Sequence, residues 1–255
     1  MDVRIWAVAL SALGVLSCKS AGRPQQPLPE EKTAVEAPQA AAAPRPADTL
    51  QRGGLIYPRT GKTAADFVPQ PSIFAVQYEA EGDLNADGIP DLALVLQNKK
   101  DKQQGARPVL VLLGQRDKTY RLDKVSHFVF PVAHNEADFP NYDTEDISIS
   151  DSTLHIQLYG VGPQGNLFSE FKYFGKDLLL TSIETYNMGA GSHSQIDYDP
   201  LQGSATLDVI NTMEEEMPSE ITVHPIRKKT FPFETADPGE IIRDVYRQID
   251  SQRDP

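Results

Sequence analysis

The sequence predicts a mainly β protein, in which strands form an antiparallel sheet or a sandwich-like domain and one helix follows at the C-terminus. Three observations support this fold class. Short segments of alternating apolar and polar residues recur from about residue 73 to residue 210, separated by turn residues. No helical segments alternate with these strands, as the crossovers of a parallel sheet would require. Apolar residues at helical spacing appear near the end of the chain.

The first predicted strands flank an acidic loop. The strand before the loop contains Phe74, Val76 and Tyr78, which recur with period two and are therefore expected to share one face. Residues 91–96, after the loop, form a short apolar run typical of a buried strand. The continuously apolar segment 107–114 is expected to be a central strand that is buried on both faces.

The later strands are predicted from alternation and from turn residues. Asp151 and Ser152 separate two alternating segments and predict a hairpin, and Gly175 marks a second turn of this kind. These patterns place strands at 119–125, 146–150, 153–158, 168–174, 178–186 and 204–210.

The predicted helix spans about residues 238–250. Asp237 is a suitable N-cap, and Pro238 fits the first helical position. The apolar residues at helical spacing are Ile241, Ile242, Val245 and Ile249. We expect this stripe to pack on the sheet, and a partner-binding helix is the alternative.

The acidic loop has the spacing of a calcium site. Asp83, Asn85, Asp87 and Asp91 occupy positions 1, 3, 5 and 9 of the loop, and Gly88 occupies position 6. Ca²⁺ takes six to eight oxygen ligands and needs a tightly wrapped chain. A glycine permits the sharp turn because it lacks Cβ. An acidic hairpin turn that holds no metal is the alternative, since the same residue types dominate ordinary turns.

This loop differs from a helix–loop–helix calcium site. Such a site needs a glutamate at position 12, which is Leu94 here. The flanking segments read as strands, and Pro90 favours extended backbone at the residue before it.

The pattern Asp-x-Asn-x-Asp-Gly-x-x-Asp resembles the strand-borne calcium loop of FG-GAP and VCBS-type repeats. The resemblance implies ligation by the side chains of Asp83, Asn85, Asp87 and Asp91 and by the backbone carbonyl of Ile89. Such repeats normally recur along a chain, whereas this sequence contains one loop, so a propeller is not predicted. More broadly, the chain resembles uncharacterised bacterial lipoproteins that carry one such loop near the start of an all-β domain.

The N-terminus is similar to that of a bacterial lipoprotein. Residues 1–17 contain an apolar run too short to span a bilayer, which indicates a signal peptide. The end of this segment resembles a lipobox, which implies that Cys18 carries the lipid, including palmitate. A conventional cleaved signal with an incidental cysteine is the alternative. Because Lys19 replaces the aspartate that retains enterobacterial lipoproteins at the inner membrane, the resemblance favours the outer membrane.

A tether follows the cysteine. Residues 18–62 are rich in Pro and Ala and poor in aromatic residues, so they are predicted to form a disordered tether. Residues 63–255 are predicted to form a single β-rich domain that contains the calcium loop and the helix.

No catalytic residue is assigned from the sequence. Motifs for zinc hydrolysis, acyl transfer and phosphoryl transfer are absent. His155 is expected on the polar face of a strand, and residues 192–194 read as a hairpin loop rather than as a nucleophile. Paired catalytic carboxylates cannot be identified from sequence.

The expected role is therefore binding or envelope structure, in a lipid-anchored protein whose β domain is stabilised by calcium. The expected partners are the membrane, through the lipid, and an envelope protein or a glycan. The net charge of −12 argues against nucleic acid. A calcium-dependent envelope hydrolase and a purely structural component of a larger complex are the alternatives.

Overall fold

A computed structural model describes residues 49–160 and 165–253, and it confirms the mainly β fold class. About half of these residues lie in strands, which form three antiparallel sheets, and one α-helix lies at the C-terminal end. The predicted signal peptide, the predicted lipidation site Cys18 and the predicted tether up to residue 48 lie outside the described residues.

The strands form a two-stranded, a five-stranded and a seven-stranded sheet. The two-stranded hairpin pairs β1 (Thr49–Arg52) with β2 (Leu55–Pro58). The five-stranded sheet contains β3 (Thr60–Gly61), β4 (Phe74–Gly82), β5 (Asp91–Asn98), β6 (Val109–Gly114) and β7 (Tyr120–Ser126), in the spatial order β3-β7-β6-β5-β4. The seven-stranded sheet is sequential and contains β8 (Thr144–Ser150), β9 (Thr153–Tyr159), β10 (Asn166–Phe174), β11 (Asp177–Met188), β12 (Ser192–Asp199), β13 (Ser204–Asn211) and β14 (Ser219–Pro225).

The middle of the five-stranded sheet is buried on both faces, as predicted for the segment 107–114. On one face, Ala93 and Val95 belong to a core cluster that also contains side chains of the seven-stranded sheet. On the other face, Leu94 and Leu110 belong to a second cluster that contains Tyr57 from β2. Alternating side chains of one strand therefore contribute to two separate cores, because successive residues point to opposite faces.

Strands are present before the predicted domain boundary at residue 63. Residues 49–61 were predicted to belong to the tether, but they form β1, β2 and β3. Tyr57 and Phe67 are both fully buried against the five-stranded sheet. The correction has a simple physical reason: strands that are apolar on both faces need cover on the side away from the seven-stranded sheet, and this segment supplies it.

A β-bulge in β4 corrects the expectation that Phe74, Val76 and Tyr78 share one face. The register shifts between Val76, which pairs with Leu96, and Tyr78, which pairs with Val95. An extra residue in one strand reverses the side-chain parity beyond it. Phe74 and Val76 therefore pack in the second core cluster, whereas Tyr78 packs against the cluster between the sheets.

Two strands of the seven-stranded sheet were not predicted. In β12 the buried side chains are those of Ile196 and Tyr198, and the residues between them are polar. The strand begins at Ser192, inside the segment that was interpreted as a loop. In β14, Ile221 and Val223 are exposed, so this edge strand lacks a strong burial pattern.

The predicted helix is present as α1 (Pro238–Arg253) and is slightly longer than expected. The Asp237 carboxylate accepts a hydrogen bond from the backbone N–H of Glu240 at 3.0 Å, which confirms the predicted N-cap. Ile241, Val245 and the rest of the apolar stripe are buried in the core between the sheets, so the helix packs on the sheet as expected. None of the helices in residues 49–160 and 165–253 is long and apolar enough to cross a membrane.

Candidate functional site

The predicted calcium loop connects β4 to β5, two neighbouring strands of the five-stranded sheet. Gly82 and Asp91 pair across the base of the loop, so the eight residues between them close a hairpin that joins two strands, as the sequence predicted. Gly88 has φ of +81°, the left-handed conformation for which position 6 requires glycine. Ala86 also has a positive φ, of +59°.

Three of the predicted ligand side chains meet inside the loop. Asp83 accepts hydrogen bonds from the backbone N–H of Asp87 at 3.0 Å and of Gly88 at 2.9 Å. The Asn85 carbonyl oxygen accepts from the same Asp87 N–H at 3.0 Å. Asp87 in turn accepts from the backbone N–H of Ile89 at 2.8 Å and from the Asn85 amide at 3.0 Å. The loop backbone therefore draws the oxygens of Asp83, Asn85 and Asp87 towards one another.

Asp91 has a different environment from the other three. It is fully buried at the start of β5 and accepts hydrogen bonds from the backbone N–H groups of Leu84 (2.9 Å), Asn85 (3.2 Å) and Gly114 (2.8 Å). Burial raises the pKa of its carboxyl, and the three hydrogen bonds oppose that shift. Asp91 thus fastens the start of the loop to the end of β6.

The donor set of the loop is chemically suited to a hard cation. The side-chain atoms available as metal ligands are all carboxylate or amide oxygens, the ligand type that Ca²⁺ prefers. Among residues 49–160 and 165–253, no three His, Cys, Asp or Glu side chains gather into a metal-binding group by themselves. A calcium ion here would therefore need the Asn85 amide oxygen, the predicted Ile89 carbonyl and solvent in addition to the carboxylates. A carboxylate oxygen accepts about two hydrogen bonds, so the Asp91 oxygen that faces Gly114 retains one free acceptor position.

The loop is also attached to both layers of the fold. Leu84, between two of the predicted ligands, is 1% exposed and belongs to the core cluster between the sheets. Gly82 contacts β8 of the seven-stranded sheet so closely that a Cβ there would lie 2.7 Å from Cγ2 of Ile149. The loop therefore lies where the edge of one sheet meets the edge of the other.

A buried ion pair also joins the two sheets, between the residue that precedes β6 by two positions and β8. Arg107 is 1% exposed, and its guanidinium donates two hydrogen bonds to the Glu145 carboxylate, at 2.6 and 2.7 Å. It also donates to the carbonyl of Pro131 at 2.7 Å and stacks on the ring of Phe130 at 4.6 Å from the centroid. The Tyr78 hydroxyl donates to the same carboxylate at 3.1 Å.

The structure also brings together polar groups that the sequence could not pair. His155 lies on the outer face of the seven-stranded sheet, as predicted, and contacts Ser150 at 3.1 Å through Nε2 and Glu170 at 3.3 Å through Nδ1. This Ser–His–Glu order is that of an acyl-transfer triad. The three side chains stand on an open strand face, and they line neither of the cavities described below. His193 contacts Tyr186 at 2.8 Å rather than a serine, so residues 192–194 form no such pair.

Neighbouring carboxylates on that outer face bear on the hydrolase alternative. Burial, followed by the charges of Asp197 and Glu170, raises the pKa of Glu184. Glu184 and Asp197 face each other on β11 and β12. Most glycoside hydrolases use two catalytic carboxyl groups whose environments differ. In those enzymes the two groups flank the bound substrate in a cleft. These two carboxylates lie on a strand face, so they give the hydrolase alternative weaker support than the acidic loop 83–91 gives a binding domain.

Comparison of the chain with protein-family models, with curated proteins and with solved structures found no match. The fold and the loop together describe an all-β, sandwich-like domain with an acidic loop at the junction of its sheets. The assignment of the loop depends on its own residues.

Proposed function

We propose that this chain is a lipid-anchored envelope protein whose β-sandwich domain is stabilised by calcium and acts in binding or envelope structure. The observation that carries the proposal is the attachment of the acidic loop 83–91 to both layers of the fold, through Leu84, Asp91 and Gly82. A cation at this position would stiffen the junction between the sheets as well as the loop itself.

The loop residues have separate roles in this proposal. Asp83, Asn85 and Asp87 hold the ion with their side-chain oxygens, and the Ile89 carbonyl adds a backbone ligand. Asp91 positions the loop through its three backbone hydrogen bonds and contributes its remaining acceptor position. When bound, calcium supplies positive charge that offsets the repulsion among the carboxylates. It therefore stabilises the folded state by mass action.

An open cavity beside the loop supports a binding role. It has a volume of about 580 Å³ and lies between the loop and the turn that joins β6 to β7. Asp87 and Ile89 contribute to its lining from the loop, and Arg116, Tyr120 and Arg121 contribute from the opposite side. This mixture of charged groups and an aromatic ring suits an envelope protein or a glycan partner. The lipobox-like segment at Cys18 supports the lipid anchor of this proposal, and Lys19 after it favours the outer membrane.

Thermal unfolding of the full chain, in excess calcium and then in chelator, tests the calcium proposal. At a calcium concentration about 100 times the dissociation constant, binding adds about 2.7 kcal/mol to the free energy of unfolding. For a domain of this size that corresponds to a rise in melting temperature of about 5–10 °C. Asp87→Ala should abolish the rise.

The matched control is Asp177→Ala, which removes an exposed acidic residue at the start of β11, outside the loop. It should retain the full calcium response. Bound metal is assayed on the same samples, because calcium that survives the chelator would leave the melting temperature unchanged. A chain that contains no metal and melts identically in both buffers would reduce the loop to an acidic turn and refute the proposal.

A further inference from the structure

A second cavity lies far along the sequence from the calcium loop, between α1 and the segment that follows β14. Its volume is about 420 Å³, which is within the range of pockets that enclose a small ligand. The apolar part of its wall consists of side chains that otherwise belong to the core between the sheets, including Tyr198, Ile226 and Val245, with Phe231 at the edge. The cavity is thus a recess in the core, with a ready surface for an apolar group.

The charged part of the wall is basic, in a chain whose net charge is −12. Arg227, Lys228 and Lys229 are consecutive and exposed, and none of them pairs with a carboxylate in the described part of the chain. Asp244 also lines the cavity, but it pairs with Arg247 on the same helix. The ammonium of Lys229 lies 4.6 Å from the centroid of the Phe231 ring, which leaves its charge uncompensated by a carboxylate. Three such cations at one opening create a local positive potential that favours an anion.

The hydroxyl of Tyr198 provides a second, independent indication of a ligand. Tyr198 is 3% exposed and lines the cavity, yet its hydroxyl has no hydrogen-bond partner among residues 49–160 and 165–253. The hydroxyl oxygen is not sealed off from solvent, since Gln77 Oε1 is the only fully buried side-chain oxygen or nitrogen without a partner in the described part of the chain. It is therefore free to meet a ligand in the cavity that its residue lines. Burial, followed by the charge of Asp199, raises the pKa of this hydroxyl, so it stays neutral and can donate. A donor without a partner, on the wall of a basic cavity, is suited to an anionic acceptor.

We propose that this cavity binds a small organic anion, in which a carboxylate or phosphate group is carried on an aromatic or short aliphatic body. Arg227, Lys228 and Lys229 hold the charge, the Tyr198 hydroxyl donates to it, and the apolar wall encloses the body. The proposal does not depend on the calcium loop, which is built from other strands. The same anionic group could belong to a free metabolite or to a lipid headgroup, and the test separates these two sources.

Titration of the full chain with phenyl phosphate, followed by calorimetry and by amide signals in NMR, tests this proposal. We expect saturable binding that shifts the signals of Ile226 and Val245. Benzyl alcohol, which has a similar body without the charge, should bind at least about tenfold more weakly, since a hydrogen bond to a charged group contributes about that factor. Inorganic phosphate, which lacks the body, should also bind more weakly.

Two variants assign the binding to the cavity. Lys228→Gln/Lys229→Gln should weaken phenyl phosphate binding about tenfold or more, whereas Lys100→Gln/Lys102→Gln should have no effect. The second pair removes the same charge from an exposed turn between β5 and β6. Tyr198→Phe should weaken binding about fivefold to tenfold. It should not lower the melting temperature, because the hydroxyl that it removes has no partner.

Three results would overturn the proposal. The first is the absence of saturable phenyl phosphate binding. The second is equal weakening by both lysine pairs, which would indicate general attraction by charge. The third is binding to vesicles of anionic lipid that needs the two lysines but not the Tyr198 hydroxyl, which would indicate a surface patch instead of a cavity. Vesicle binding that needs the hydroxyl as well would identify a lipid headgroup as the source of the anion.

Discussion

The buried pair of Arg107 and Glu145 gives a quantitative prediction for the junction between the sheets. Glu145→Gln removes the negative charge and replaces one acceptor oxygen with a donor that faces the guanidinium. Arg107, 1% exposed, would retain its bond to Pro131 and its contact with Phe130 but would have no counter-charge. Removing one partner of a buried pair lowers stability by about 3–5 kcal/mol. The melting temperature should therefore fall by about 6–20 °C.

The assay is reversible unfolding in urea, monitored by circular dichroism and supported by thermal melting. The control, Asp244→Asn, makes the same chemical change in the pair of Asp244 with Arg247, whose side chains are 59% and 70% exposed. An exposed pair contributes little, so this variant should lose less than about 1 kcal/mol.

The double variant Arg107→Met/Glu145→Leu separates the net contribution of the ion pair to stability from the cost of leaving one buried charge unpaired. Replacing both partners with apolar residues removes the buried charges altogether. We expect the double variant to be more stable than Glu145→Gln alone, with a large coupling energy between the two sites. The reasoning would be refuted if Glu145→Gln lowered the free energy of unfolding no more than the surface control does. It would also be refuted if the effects of Arg107→Met and Glu145→Leu on that free energy were additive.

Two further predictions concern the sheets. Gly82→Ala should lower the free energy of unfolding by about 1–3 kcal/mol through overpacking against Ile149, measured by urea unfolding. Gly239→Ala, in the open first turn of α1, should instead be neutral or stabilising, and equal losses at both sites would contradict the packing argument. Burial and two neighbouring carboxylates raise the pKa of Glu184, so its contribution to stability is present below its unfolded pKa and is lost as the pH rises through the folded pKa. Glu184→Gln should therefore melt higher than the parent chain near neutral pH, with the difference closing towards about pH 4, whereas the exposed Glu220→Gln should show no such trend in a series of melts.

Local patterns predicted much of this fold because each signal lies in neighbouring residues. Alternation identified most of the strands, and continuous apolarity identified β6 as buried on both faces. The N-cap at Asp237 and the glycine at position 6 of the loop could be predicted because few residue types suit either position. An N-cap needs a side-chain oxygen, and a positive φ favours glycine.

The features that were not predicted depend on contacts between distant segments. The bulge after Val76 reverses the facing of Tyr78, and nothing in the alternation of β4 marks it. Arg107 reads as a polar residue at a strand end until Glu145, 38 positions later, is placed against it. The basic cavity combines residues of β12, of α1 and of the segment after β14, and the Ser–His–Glu contact combines residues of three neighbouring strands. Composition alone could not assemble either of them.

The packing of residues 49–61 on the five-stranded sheet matters for any processing that separates the domain from its N-terminal segment. Cleavage before Thr49 would leave β1 and β2 in place over the five-stranded sheet. Cleavage at residue 63 would remove Tyr57 and uncover the leucines of β5 and β6 that it shields. A contiguous apolar surface of that kind promotes aggregation. A released form that stays in solution must therefore retain the hairpin, so a cleavage site compatible with a soluble product lies before residues 49–61.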